Sequence, residues 1–291
     1  MITIQEHVTL APYTTFKIGG PARYFVVVKN AEEMQEALSF ATEKQLPWFV
    51  LGGGSDLLVA DSGFAGLVIK SELRDIEMNT ETGVVTVGSG VLLSMLIPKT
   101  MQAGLAGLEY AIGVPATVGG AIWANLGARG SDIAEWLQSA TVVSEDGVMQ
   151  TLSAQDCAFA YRDSIFKHKK YSIIDATFQL RVQDKVTTFA KMKELADMRK
   201  ETQDVGAQCA GCVFQNPKDQ TDVPAAKLID DLGLKGKTIG GATISTIHAN
   251  FIINTGDATA DDVVQLISYV KQQVRDQLGI QLHEEIEYLG F

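Results

Sequence analysis

Apolar residues at Met34, Ala37, Leu38 and Ala41 recur at the three- and four-residue spacing of one helical face, which predicts a helix from Ala31 to about Gln45. Asn30 and Glu33 stand at its N-cap and N3 positions. Short apolar runs flank it, Tyr24 to Val28 and Trp48 to Leu51, and read as strands, so the chain opens on a strand–helix–strand unit. Leu57 to Val59 and Gly66 to Lys70 read as extended chain, and Val84 to Val87 as a strand. Val91 to Ala103 is helical in pattern, interrupted or kinked at Pro98. Strands are expected at Ala140 to Ser144 and Ser172 to Leu180. Near Asp184 the composition shifts to a charged helical stretch, Thr187 to about Lys200, which marks the start of a second domain. That domain is expected to hold a helix from Ala225 to Leu232, strands at Ala242 to Ser245 and Asn250 to Asn254, and a final strand from Glu284 to Leu289. Its best-defined element is a helix from Ala260 to Leu278: Val263, Leu266, Ile267, Val270, Val274 and Leu278 share one face, Thr259 and Asp262 suit the start, and Gly279 suits the stop. No internal repeat or low-complexity linker occurs.

The chain's 291 residues suit roughly two domains, and 46% hydrophobic against 20% charged residues supplies at least one sizeable core. The net charge of −11 argues against a nucleic-acid duplex or an anionic membrane as main partner, because both demand a dense basic face. A small anionic ligand remains compatible, since one Arg and a few backbone N–H groups suffice to hold it. Met1 to Thr14 shows no secretory pattern, and the apolar stretch from Gly104 to Ala128 is broken by Glu109, Pro115 and Asn125 before membrane length. Cys157, Cys209 and Cys212 are an odd set in a long chain, which argues against a disulfide framework. These features predict a soluble, cytoplasmic protein.

Two glycine-rich runs carry candidate chemistry. Gly52-Gly53-Gly54-Ser55-Asp56 follows a strand and reads either as a tight turn or as a cradle whose backbone N–H groups approach a pyrophosphate. It matches neither a dinucleotide fingerprint nor a P-loop. Gly113 to Ala121, followed by Ala124 to Ala128, reads either as a packed turn and short helix or as the opposite wall of a slot for an extended cofactor. Cys209 and Cys212 have the spacing of a redox or metal pair. No second pair exists, the four histidines lack ligand spacing, and no metal site is expected. Tyr161 to Ser164 is an ordinary strand-to-loop segment by composition. Glu284 and Glu285 are adjacent in an expected strand, so at most one enters a site, and spacing does not choose between them.

In their order, Thr14 to Ala22, Gly52 to Asp56, Gly113 to Gly120 with Asn125, Tyr161 to Ser164, Ala210 to Pro217, Gly240 to Ala242, His248 to Phe251 and Glu285 together resemble the UDP-N-acetylenolpyruvoylglucosamine reductase family, over residue 12 to the C-terminus. The missing tyrosine-bearing insertion resembles that family's shorter, type II-like form. The resemblance implies an α+β protein with an FAD-binding fold of the vanillyl-alcohol oxidase and p-cresol methylhydroxylase type, spanning 1–183 in subdomains of about 1–70 and 71–183. A C-terminal α+β substrate-binding domain, 184–291, would carry the catalytic Glu.

The implied activity is NADPH-dependent reduction of UDP-N-acetylglucosamine enolpyruvate in peptidoglycan synthesis, with hydride from reduced FAD to C3 and a proton to C2. Gly52, Gly53, Gly54, Ser55, Asp56, Gly113, Pro115, Thr117, Gly119, Gly120 and Asn125 would hold the flavin. Tyr161, Ser164 and Asn216 would contact substrate. Arg162 would polarise the substrate carboxylate, Glu285 would lie on that carboxylate's opposite side holding a proton, and Cys212 would stand in for the family's usual serine as proton donor. A thiol, with an ordinary pKa of about 8.5, is a better acid than an alcohol. Asp56 stands where Asn is common, which sets a negative charge near a pyrophosphate, while Gln215 stands where Lys is usual and Glu287 where Arg is frequent, both of which lower positive charge where a UDP-sugar would lie. A Cys209–Cys212 disulfide would block proton delivery. The rival readings are a flavin oxidase on the same fold and a flavin- or sugar-nucleotide-binding protein without turnover. Neither glycine run holds a His or Cys resembling a covalent flavin attachment site, which disfavours the first, and the presence of Arg162, Cys212 and Glu285 disfavours the second. Oligomeric state is not legible in the residues.

Overall fold

The opening unit is realised, with a strand ahead of it, in a computed structural model that describes residues 2–291: β1 (Gln5–Thr9), β2 (Pro21–Val28), α1 (Ala31–Glu43) and β3 (Trp48–Leu51). Asn30 accepts the backbone N–H of Glu33, and α1 buries Met34, Ala37, Leu38 and Ala41, the face its spacing predicts. β4 (Leu57–Val59) and β5 (Phe64–Ser71) follow the triple glycine, and β1, β2, β5 and β3 share one sheet in that order. β3 and β5 run parallel with Leu51 opposite Lys70, which brings Lys70 alongside the start of the glycine turn.

A second sheet dominates the middle of the chain. β6 (Ile76–Met78) and β7 (Val84–Gly88) precede α2 (Leu93–Gln102), which carries Pro98 within it and buries Leu93, Leu96, Ile97 and Met101. Short pieces come next: β8 (Leu105–Ala106), α3 (Val118–Trp123), β9 (Gly127–Ala128) and β10 (Ser131–Asp132). β11 (Leu137–Ser144), β12 (Met149–Ser153), α4 (Ile165–His168) and β13 (Tyr171–Gln179) complete the region. The antiparallel sheet has the order β12-β11-β13-β7-β6, and Val85, Val87, Leu96, Ile97, Val118, Ile122 and Phe178 share its core. β14 (Arg181–Val182) leads into α5 (Lys185–Thr202), whose Met192 packs on that core.

These residues, those up to Glu6, Tyr24–Gly53 and Gly66–Arg199, form one compact unit; His7–Arg23, Gly54–Ala65 and Lys200–Phe291 form another. The second unit contains α6 (Ala225–Asp231), β15 (Thr238–Ile239), β16 (Ala242–Ile244), β17 (Ile252–Asn254), α7 (Ala260–Leu278) and β18 (Glu287–Leu289). Phe16, Ile18 and Leu58 bury with Val213, Phe214, Val263 and Ile267 in its core, which is why two early segments belong with a late one. β18 pairs in parallel with β4. The strand expected from Glu284 begins only at Glu287, because Glu284 bridges to Phe214 and Glu285 donates its N–H to the Val213 carbonyl (2.7 Å) before the chain turns to β4. The strand expected from Asn250 likewise starts at Ile252, since Phe251 bridges to Cys212.

Helix α7 has a complete capping box: Thr259 Oγ1 accepts the Asp262 N–H and the Asp262 carboxylate accepts the Thr259 N–H, with Gly279 closing the helix in the left-handed conformation. Those hydrogen bonds hold the Asp262 carboxyl below the usual carboxylate range. Thr259→Ala is expected to lower unfolding free energy by about 1 kcal/mol in a urea titration with unchanged m-value. Among the described residues no helix is long and apolar enough to cross a membrane.

Candidate functional site

In the first unit the two glycine runs meet. A Cβ built on Gly52 would lie 2.4 Å from Thr117 Oγ1, so only a residue without a side chain fits there. Thr117 caps α3 by accepting the Gly120 N–H (3.3 Å), and Gly119 donates its N–H to the Ser89 carbonyl (2.8 Å). Ser89 Oγ in turn lies 3.0 Å from Ser71 Oγ, both buried, and Ser71 follows Lys70 on β5. Lys70 Nζ donates to the Gly52 carbonyl at 2.5 Å. Burial lowers its pKa from the ordinary lysine value, with Glu72 opposing that shift and Arg74 adding to it. Strand β5 thus reaches both glycine segments, Lys70 at Gly52 and Ser71 by way of Ser89 at Gly119. Gly113 and Pro115 are exposed at the start of the second run.

The remainder of the first turn lies in the second unit. Gly54 has φ +60°, and a Cβ there would meet the Tyr13 carbonyl at 2.3 Å. The Gly54 carbonyl accepts the Thr15 N–H (2.9 Å), while Thr15 Oγ1 donates to the Cys209 carbonyl (2.6 Å). Ser55 and Asp56 are half-buried, and the Asp56 carbonyl accepts the Glu287 N–H. Backbone donors bared by glycine, in a turn with room only for hydrogen, fit an extended anionic cofactor such as a flavin dinucleotide.

Arg162 sits at the third position of a tight turn closed by paired backbone bonds between Ala160 and Asp163 (3.0 and 3.2 Å), with φ +55°. For a residue with a Cβ that conformation costs about 1–2 kcal/mol, a strain of the kind that collects at working sites. The turn is held from several directions. Asn125, itself buried at φ +42°, donates from Nδ2 to the Ala160 carbonyl (2.7 Å) and accepts the Ala134 N–H. Ser164 is buried, donates to the Trp123 carbonyl (2.7 Å) and accepts the Phe166 N–H. Asp163 meets His168 Nε2 at 2.9 Å. Tyr161 is exposed, its ring 5.8 Å from the Arg162 guanidinium carbon. Beneath the turn a Cβ on Gly127 would lie 3.6 Å from Arg162 Nη1. Tyr110 is buried there as a neutral phenol, its pKa pushed up by burial, with Asp132 and Glu135 adding and Arg162 opposing. Asn125 and Ser164 therefore position the guanidinium turn in this structure.

In the second unit Cys212 and Glu285 come from adjacent extended segments. Cys212 bridges to Phe251 on one side, and Glu285 lies opposite Val213, one residue further along. Asn250 locks the segment by accepting the Phe214 N–H (2.9 Å) and donating to the Phe214 carbonyl (2.8 Å). Glu284 ion-pairs with Lys271 of α7 at 2.9 Å. Cys209 is buried, Cys212 is half-buried, and all three cysteines are thiols. Asn216 is exposed, and its Oδ1 accepts the Ala225 N–H at the start of α6. Lys70 and Asn250 are given no role by sequence reasoning: the one signal for Lys70 is a charge ending an apolar strand run, and Asn250 enters only as part of the His248 to Phe251 motif.

The FAD binding domain family matches residues 22–153, and the UDP-N-acetylenolpyruvoylglucosamine reductase C-terminal domain family matches residues 203–289. The chain is 41% identical over 289 residues to the UDP-N-acetylenolpyruvoylglucosamine reductase of Anoxybacillus flavithermus, covering 99% of this chain and 95% of that one. It is 43% identical over 289 residues to the protein of the same name from Protochlamydia amoebophila, covering 99% and 94%. The crystal structure of UDP-N-acetylenolpyruvylglucosamine reductase from Thermus caldophilus is similar with a TM-score of 0.84 at 34% identity, covering 99% of this chain and all of that one.

Proposed function

Because the chain belongs to the UDP-N-acetylenolpyruvoylglucosamine reductase family, we propose that it is an FAD-dependent oxidoreductase that reduces the enolpyruvyl ether of UDP-N-acetylglucosamine to UDP-N-acetylmuramate with NADPH as reductant. The observation that carries the flavin assignment is the meeting of the two glycine runs at Gly52 and Thr117, a contact that a single methyl group would break. Gly52 to Asp56 and the Gly113 to Gly120 run are the residues that hold FAD in this reading. Bound there, FAD would supply the hydride chemistry that links NADPH to the enolpyruvyl C3.

The chain's own groups manage the charge and the proton. Hydride addition at C3 leaves carbanion character at C2 that delocalises as an enolate onto the substrate carboxylate, so negative charge grows on oxygen. Arg162 binds that carboxylate with its planar fork of N–H donors and stabilises the developing charge. Its turn is fixed by Asn125 and Ser164 before substrate arrives, which avoids reorganisation during the reaction. Glu285 carries a proton toward the same carboxylate, since an ionised acid would oppose the growing charge. Cys212 delivers its thiol proton to C2 as the general acid. Tyr161, Ser164 and Asn216 complete the assignment, Tyr161 as a contact and the other two through the backbone they secure.

Purified protein is expected to be yellow, to bleach anaerobically with NADPH, and to regain its colour without oxygen when UDP-N-acetylglucosamine enolpyruvate is added. A flavin that only oxygen reoxidises would favour an oxidase, and a colourless protein that takes up no FAD would remove the assignment.

A further inference from the structure

Strand β5 ends among buried residues: Val68 and Ile69 are fully buried and Ser71 is 3% exposed. Lys70, on the opposite face of the strand from Ile69 and Ser71, is half-buried, and the partial desolvation of its ammonium disfavours the charge unless something compensates. The parallel pairing of β3 with β5 sets Lys70 opposite Leu51, so its side chain reaches one residue past the strand end, and Nζ meets the Gly52 carbonyl at 2.5 Å. One carbonyl is modest return for a partly desolvated charge. The neighbouring carboxylate of Glu72 supports the charged form, while Arg74 opposes it. Methionine would fill the same space without the penalty, so the charge itself calls for a role.

We propose that Lys70 is a positioning residue of the cofactor site, its ammonium fixing the Gly52 carbonyl and placing a positive charge at the base of the first glycine turn that favours the diphosphate of a bound dinucleotide. This rests on the flavin reading above. Gly52 is the residue whose missing side chain lets the two glycine runs meet, so a tether on its carbonyl holds both in register.

The test uses the full chain stripped of flavin and titrated separately with FAD and with riboflavin, which lacks the diphosphate, following flavin fluorescence. K70M is expected to bind FAD at least about tenfold more weakly than the parent, the scale of one charge-assisted contact, with riboflavin affinity unchanged and a shallower salt dependence for FAD. K70R is expected to stay within about threefold of the parent for both ligands, since it keeps the charge. K70Q, which keeps a donor for the Gly52 carbonyl without the charge, is expected to behave as K70M does and carries the comparison if K70M does not fold. Parental FAD affinity in K70M or K70Q overturns the proposal, as does an equal loss of FAD and riboflavin, which would mark a purely structural role. A parent protein that binds neither ligand overturns the flavin reading itself, and Lys70's role with it.

Discussion

Cys212→Ala is expected to leave anaerobic bleaching of the flavin by NADPH near the parental rate while slowing reoxidation by the enolpyruvyl substrate by about 10²- to 10⁴-fold. The asymmetry follows from where a proton is needed. Reduction of the flavin by a nicotinamide calls for no acid at C2 of the sugar substrate, whereas completing the second half-reaction does. Rapid mixing with each ligand in turn, read by flavin absorbance, separates the two. Cys212→Ser is expected to recover much of the loss, because a hydroxyl can donate a proton from the same place and the bridge to Phe251 is a backbone pairing that the side chain does not enter. Equal slowing of both half-reactions by the alanine variant would mean that Cys212 shapes the flavin environment instead of donating the proton. The backbone beside Cys212 keeps its place without the thiol: Val213 and Phe214 are held by Asn250 through bonds that do not involve it.

How much of this was legible in the residues depends on how local each determinant is. Helix α7 was readable to its last residue because its capping box, its apolar face and its closing glycine all lie within the segment itself. Helix α1 was readable for the same reason, overrunning by two residues where the reading continued to Gln45. β1 went unread, since Gln5 to Thr9 is largely exposed and has no apolar alternation to signal a strand. Association at long range was the larger gap. Nothing in the periodicity near Phe16, Ile18 or Leu58 shows that they bury with residues beyond 200, nor that α5, up to Arg199, belongs with the first unit. The site divides in the same way. The glycine runs advertise themselves by composition, and their contact at Thr117 explains why both are needed. Lys70 acts through one backbone carbonyl and Asn250 through both backbone groups of Phe214, all distant in sequence, and a left-handed arginine cannot be foreseen from a Tyr-Arg-Asp-Ser string.

That arginine yields the other large effect. Arg162→Lys is expected to lower kcat/KM for the UDP-sugar by about 10²- to 10³-fold while FAD affinity and flavin reduction by NADPH stay near parental values. Lysine retains the charge but presents a compact ammonium in place of a planar fork, so the loss isolates two-point recognition of the carboxylate from simple attraction. A steady-state titration of substrate, paired with the NADPH half-reaction, reads both quantities; a loss below about fivefold would show that charge alone suffices and that the fork assignment is wrong. Arg162→Gly sharpens the same point from the side of stability. At φ +55° glycine relieves a backbone penalty of about 1 kcal/mol or more, so this variant is expected to unfold no earlier than the parent in a thermal scan although it loses the guanidinium entirely. Stability kept while reduction of the substrate collapses is what strain maintained for function produces. A variant that lost both together would instead make Arg162 a structural tie, with its neighbours Tyr110 and Tyr161 as the partners it serves.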